Sequence, residues 1–317
     1  MKTLKIIKFM DQFSKHPLYR KHNIDSAMSS LWDFYKAKFV PLMLISLVMS
    51  FAMQYAATFI NIKELQTVTD PMVMIAMLKP LIVPILIISV VNLLFTTILQ
   101  YYIIYNPLSS ENNFFVCLLI SLRFFIPFLI IMVLLAFAGS IAIVLGLLAL
   151  VVGVFFSILY ISTVYLFILP VMMVEDGSIG HTISRTLTLA HRKFWSNIGW
   201  TAVFIILLLV ISVIMSGIIL LPFTGNFIKT LMSPDNASKM ADMTTNPLYL
   251  ILSAIVGALT LPIMPIFGAI LYFNGKANEE QAQTIIPPNP ENTRVRVEDL
   301  YAKPYADDHP DNPEKKD

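Results

Sequence analysis

Residues 124–174 read FFIPFLIIMVLLAFAGSIAIVLGLLALVVGVFFSILYISTVYLFILPVMMV, about fifty positions without an Asp, Glu, Lys, Arg or His. At roughly 1.5 Å of rise per helical residue the run is about 75 Å long, too much for one crossing of a hydrocarbon core about 30 Å thick. The segment therefore crosses a membrane twice. Small residues allow a tight reversal, which places the expected bend at Ala138-Gly139-Ser140.

The remainder of the chain agrees with that solvent. Of its 317 residues 57% are hydrophobic and 13% charged, and the mean hydropathy is +0.74; average soluble domains are about one quarter charged. Six stretches near twenty residues long carry few or no charges: about 40–60, 81–104, 115–137, 141–174, 198–221 and 248–273. Starting the third near Phe115 places Arg123 in its first turns, where a long side chain snorkels to the interface.

With six crossings both termini share a side, and 18 of the 22 Lys and Arg residues fall on it. Lys63, Lys79, Lys229 and Lys239 are left for the other face. The positive-inside rule then makes both termini cytoplasmic; the chain reads as bacterial, and the expected location is the cytoplasmic (inner) membrane. No cleavable leader is expected, because residues 1–39 are charged throughout. The small net charge of +2 gives no reason to expect a nucleic-acid partner. Cys117 is the single cysteine, which excludes an internal disulfide and a thiolate metal site.

Three segments share one plan of amphipathic stretch, basic residue, aromatic and paired spans. Ile24, Met28, Leu31, Tyr35 and Phe39 lie on one helical face, with Asn23 or Asp25 available as cap. Ile179, Ile183, Leu187, Ala190 and Phe194 repeat those offsets after Asp176 or Ser178. The second copy, Phe114 to Pro127, is weaker. The expected fold is thus an all-α integral membrane protein, with six transmembrane helices as three hairpins, each preceded by a cytoplasmic-side amphipathic interfacial helix. Residues 1–23 form a cytoplasmic N-terminal segment, 24–275 the membrane domain, and 276–317 a disordered cytoplasmic tail rich in Pro, Asn, Asp, Glu and Lys.

Catalysis needs titratable groups held in a dry, shaped site, and the spans offer none, so the chain is expected not to be an enzyme and to need no cofactor or metal. The most polar feature at membrane depth is Ser89, Asn92, Thr96 and Gln100, which share one face of the second span. They either line a substrate path or hydrogen-bond to neighbouring helices. On the fourth span Ala142, Gly146, Ala149, Gly153 and Ser157 make a helix-packing strip of small residues. Pro262 and Pro265 mark the expected break in the sixth span. Glu175 and Asp176 are read as acids at a helix N-terminus. Arg185, His191, Arg192 and Lys193 are candidate contacts to lipid headgroups.

At Pro170-Val171-Met172-Met173-Val174-Glu175-Asp176-Gly177, then Ser184-Arg185-Thr186-Leu187 and Lys193-Phe194-Trp195, the chain resembles the membrane-domain family of glycerophosphoryl diester phosphodiesterases and its stand-alone bacterial relatives. The resemblance covers about Ile24 to Glu280 and implies a six-span membrane module. Tyr272-Phe273-Asn274-Gly275-Lys276-Ala277 stands where that family carries an aromatic, an Asp and spaced arginines, and the catalytic barrel of some members is not expected here. The leading expectation is a non-enzymatic scaffold or accessory subunit that contacts membrane lipids and, through its tail, partner proteins. The alternative is a transporter or lipid-handling permease using the seam on the second span.

Overall fold

A computed structural model describes residues 13–58, 71–108, 114–175, 178–225 and 246–285. The described residues are all-helical apart from turns and short irregular stretches, and six segments are long and apolar enough to cross a membrane: Phe39–Ala57, Ala76–Tyr105, Val116–Leu148, Leu150–Glu175, Phe194–Phe223 and Pro247–Gln281. In chain order the helices are α1 (Ile24–Ala37), α2 (Phe39–Ala57), α3 (Pro71–Leu78), α4 (Ile82–Tyr105), α5 (Phe114–Leu148), α6 (Leu150–Glu175), α7 (Ile179–Arg192), α8 (Phe194–Leu220), α9 (Pro247–Thr260) and α10 (Ile263–Ile285).

Local chemistry sets the ends. Asn23 caps α1 by accepting from the Ser26 backbone N–H at 2.8 Å, while Ser26 Oγ accepts from the Asn23 N–H at 2.9 Å. Ser178 caps α7 through the His181 N–H at 3.4 Å. One face of α1 buries Ala27, Leu31, Phe34 and Tyr35. At the other end of that helix Lys38 has φ −113° and ψ 21°, which breaks the helix and lets α2 leave in a new direction.

The reversal between the third and fourth crossings differs from the sequence expectation. Ala138-Gly139-Ser140 stay helical inside α5, with Ser140 Oγ donating to the Ala136 carbonyl at 2.8 Å. The chain turns at Ala149–Leu150, and Leu150 takes a left-handed φ of 60°, a conformation that costs a non-glycine residue about 1–2 kcal/mol. The five small residues therefore do not line one helix. Ala142 and Gly146 end α5, Gly153 and Ser157 begin α6, and Ala149 lies between them. Ser157 Oγ donates to the carbonyls of Ala142 and Gly153, both at 2.9 Å. A Cβ on Gly146 would lie 2.7 Å from the Gly153 carbonyl oxygen. The turn sits where two glycines allow two backbones to touch, eight or more residues past the first small cluster.

That contact yields a direct expectation. In Gly153→Ala the new Cβ meets the Gly146 carbonyl and lies 2.8 Å from Ala149 Cβ, so the hairpin loses about 1–3 kcal/mol through overpacking. Gly217→Ala in α8, where a Cβ meets nothing within 4 Å, gains a few tenths of a kcal/mol or more from helix propensity. Thermal unfolding in detergent compares the two; equal melting temperatures would remove the close-contact account.

Two further differences concern the spans. The second amphipathic stretch is not a separate helix, because α5 runs unbroken from Phe114 through Pro127. The sixth crossing is broken as expected, with α9 ending at Thr260 and α10 starting at Ile263. Pro262 and Pro265 lack the N–H groups that Ala258 and Leu261 would receive in a continuous helix. Beside the break, the Leu259 carbonyl accepts from the Tyr35 hydroxyl at 2.9 Å. The first compact unit ends at Ala277; of the second, 278–317, only 278–285 is described. It is helical, contrary to the irregular tail expected from 276. Glu279, Glu280, Gln281, Ala282 and Gln283 are good helix formers, and no Pro interrupts them. The expectation for 286–317 lies outside the described residues.

Candidate functional site: a polar cavity inside the bundle

Five helices close a ring, α2 against α4, α4 against α6, α6 against α8, α8 against α9 and α9 against α2. Between them lies a cavity of about 270 Å³. Met49 comes from α2, Asn92, Thr96, Leu99 and Gln100 from α4, Tyr165, Leu166 and Leu169 from α6, and Leu208 and Ser212 from α8; Thr260 closes α9, and Met264, Pro265 and Gly268 belong to α10.

Asn92 and Gln100 are eight residues apart on one helix, so the polar wall runs about 12 Å along the axis. Its two ends differ. Asn92 and Ser212 are exposed, whereas Leu99, Gln100, Leu166, Leu169, Pro265 and Gly268 are buried. The cavity therefore has a mouth beside Asn92 and Ser212 and a floor beside Gln100. The floor is tight: a Cβ on Gly268 would lie 2.8 Å from the Leu166 carbonyl oxygen.

The hydrogen-bonding state of these groups is the site's main chemical property. Thr96 Oγ1 donates to the Asn92 carbonyl at 2.8 Å and lies within bonding reach of the Tyr165 hydroxyl. Gln100 is 3% exposed, and its Nε2 has no partner among the described residues. An unmet buried donor costs about 1–3 kcal/mol. No carboxylate, histidine, lysine or arginine lines the cavity among the described residues. Such a wall recognises uncharged groups through hydrogen bonds and offers nothing to balance an ion.

The structure thus brings Asn92, Thr96 and Gln100 of the expected seam into one cavity. Ser89 is not part of it; its hydroxyl turns back to the Ile85 carbonyl at 2.8 Å. The sequence reading missed Tyr165, Ser212 and Thr260. Each shares its helix with other hydroxyl-bearing residues, such as Thr163 on α6, Ser216 on α8 and Ser253 on α9, and only convergence in space singles out these three.

The basic residues after α6 separate into two groups. Arg185 Nε donates to both oxygens of Glu175, at 3.0 and 3.1 Å. Around the same carboxylate stand Lys276 Nζ at 3.5 Å, His181 Nε2 at 3.3 Å and the Tyr272 hydroxyl at 3.2 Å. Glu175 is thus the last residue of α6 and a hub joining α6, α7 and α10, which corrects its reading as an N-terminal dipole acid. Arg185 is correspondingly committed to the protein. His191, Arg192 and Lys193 are exposed at the end of α7, with the His191 ring stacked on Phe194 at 5.7 Å.

The end of the bundle beyond the cavity floor is closed by the N-terminal segment. His16 is 2% exposed; its Nδ1 accepts from the Leu18 N–H at 3.1 Å and its Nε2 faces the Ile103 carbonyl at 3.1 Å. The ring stacks on Phe273 with centroids 4.7 Å apart. Asn274 Oδ1 accepts from the His22 N–H at 2.9 Å and ties the same segment to α10. Comparison with known proteins finds no matching family model, and no curated protein or solved structure matches the chain significantly.

Proposed function

We propose that the chain is a permease of the cytoplasmic membrane, admitting a small uncharged hydrogen-bonding solute, or the polar part of a lipid, into the cavity between its helices. The observation that carries this reading is the buried Gln100 Nε2, which has no hydrogen-bond partner among the described residues, on the floor of a cavity whose polar walls come from four different helices. Polar groups at membrane depth are expensive, and a cavity on which a few of them converge is the natural place for a bound solute. The broken sixth crossing supports the same reading, since interrupted helices line binding cavities in many carriers.

In this proposal the six crossings form three hairpins, α1 and α7 lie in the interface on the cytoplasmic side, and both termini are cytoplasmic, as the distribution of Lys and Arg favours. His191, Arg192 and Lys193 then face the headgroup layer of that side. The likeness to the phosphodiesterase membrane-domain family enters as a shared six-span architecture without its hydrolytic chemistry. No enzymatic step is assigned. The scaffold role expected from the sequence rests on interfacial helices and a tail, of which 286–317 lie outside the described residues; the cavity favours permeation.

The test uses proteoliposomes and osmotic shrinkage with glycerol as the neutral probe. Wild-type protein should raise glycerol permeability above that of protein-free vesicles, and Asn92→Leu and Gln100→Leu should each lower the increment at least tenfold. A wild-type rate equal to that of empty vesicles, or three identical rates, contradicts the proposal.

A further inference from the structure

On a face of α4 neighbouring the one that lines the central cavity, a second groove of about 510 Å³ opens on the surface of the bundle. Its body is apolar: Leu44, Ile45 and Val48 of α2, Phe95 and Ile98 of α4, and Leu118 of α5. Its end is not. Tyr102 and Asn106 line that end, and Lys38 Nζ donates to Asn106 Oδ1 at 3.1 Å.

The dimensions match one leaflet. From Phe95 to Asn106 along α4 is eleven residues, about 16 Å, and from Lys38 to Val48 along α2 is ten residues, about 15 Å. Half of a hydrocarbon core about 30 Å thick is the same length. The groove therefore runs from the headgroup level, marked by Lys38, to about the bilayer centre.

The chemistry at the headgroup end consists of donors. Lys38 makes no ion pair among the described residues, and its one bonded partner is the neutral Asn106 amide. The hydroxyl of Tyr102, a residue 9% exposed, makes no hydrogen bond among the described residues. With its Oδ1 occupied by Lys38, Asn106 has its NH₂ group to offer. Three donors with one unneutralised cation form a site for an acceptor-rich anion, at the depth where lipid phosphates lie.

We propose that this groove holds one acyl chain of an anionic glycerophospholipid, with the phosphate against Lys38, Asn106 and Tyr102. The site stands apart from the permeation reading and holds whether or not a solute enters the central cavity. Leu44 and Val48, 59% and 65% exposed, form the lip over which the chain enters.

Native mass spectrometry of the full chain tests it, after release from nanodiscs of equal parts palmitoyl-oleoyl phosphatidylglycerol and phosphatidylcholine. Wild type should leave as a monomer carrying one lipid, with phosphatidylglycerol retained at least fivefold over phosphatidylcholine. Lys38→Gln should bring that ratio near one, and Val48→Trp, which fills the groove, should lower total retention at least fivefold. Gel filtration checks that both variants remain folded; should Val48→Trp aggregate, Leu44→Phe on the same lip takes its place. The assignment fails if wild type carries no lipid, if it retains both lipids equally, or if both variants retain lipid as wild type does. A lipid-free dimer also overturns it and gives the groove to a second copy of the chain.

Discussion

Gln100→Leu yields a bundle that is more stable than wild type and impermeable. The two side chains have similar size, so the cavity floor keeps its packing while a buried donor without a partner is removed. Relieving that donor is worth about 1–3 kcal/mol, visible as a raised melting temperature in detergent. The same change removes the group that a bound solute would satisfy. Gains in stability paired with loss of activity mark positions held for function. Asn92→Leu differs, because Asn92 is exposed at the mouth and has no buried penalty to relieve; it should lose flux without a comparable rise in stability. A Gln100→Leu protein that melts earlier than wild type would make Gln100 a structural contact and remove the support it gives to permeation.

The N-terminal segment undocks as the medium is acidified through the range between pH 6.5 and about 4. Burial lowers the His16 pKa to about 4 from an ordinary 6.5, against a smaller opposing effect of the Ile103 carbonyl. The geometry gives the reason. A neutral ring uses Nδ1 as acceptor for the Leu18 N–H and Nε2–H as donor to Ile103, and a proton on Nδ1 would destroy the first bond. The undocked segment therefore binds protons that the docked one refuses, so docking is strongest above pH 6.5 and weakens as pH falls. The full difference is about 3 kcal/mol, reached below pH 4. Hydrogen exchange at the Leu18 and Tyr19 amides, corrected for intrinsic rates, should lose protection across that window. His16→Phe keeps the stacking on Phe273 and should remove most of the pH dependence, leaving the part set by half-buried His22, whose pKa burial also lowers. Protection independent of pH in wild type would contradict the docked neutral imidazole.

The membrane character of the chain is written in its charge-free runs, and the structure repeats four of the six spans close to where hydropathy places them, the third and fourth being shifted by the displaced turn between them. The sequence misled at the third reversal. A Gly-Ser pair reads as a bend, yet inside a helix Ser140 satisfies its own hydroxyl on Ala136, and nothing forces the chain to leave. What forces the turn is the match of Gly146 with Gly153, a property of two backbones in contact that no local pattern shows. Glu175 is similar. Its sequence neighbours suggest a cap, but its partners are 6, 10, 97 and 101 positions away in His181, Arg185, Tyr272 and Lys276.

The cavity was half legible. Asn92, Thr96 and Gln100 recur on one face of α4, and that periodicity is visible without coordinates. Tyr165, Ser212 and Thr260 do not stand out, because each shares its helix with other hydroxyls and a hydroxyl on a membrane helix usually bonds to its own backbone. His16 was hidden for the opposite reason. It lies in a charged segment that reads as solvated, and its burial depends on Phe273 and Ile103 from the far side of the chain.

Water at the Asn92 end of the cavity is the claim on which this account depends, and thiol accessibility measures it. With Cys117→Ser as background, Asn92→Cys, Ser212→Cys and Ile87→Cys are exposed in proteoliposomes to a charged, membrane-impermeant methanethiosulfonate. Ile87 is exposed on α4 but does not line the cavity. The account predicts modification at 92 and 212 at least a hundredfold faster than at 87; equal and negligible rates at all three positions would contradict it.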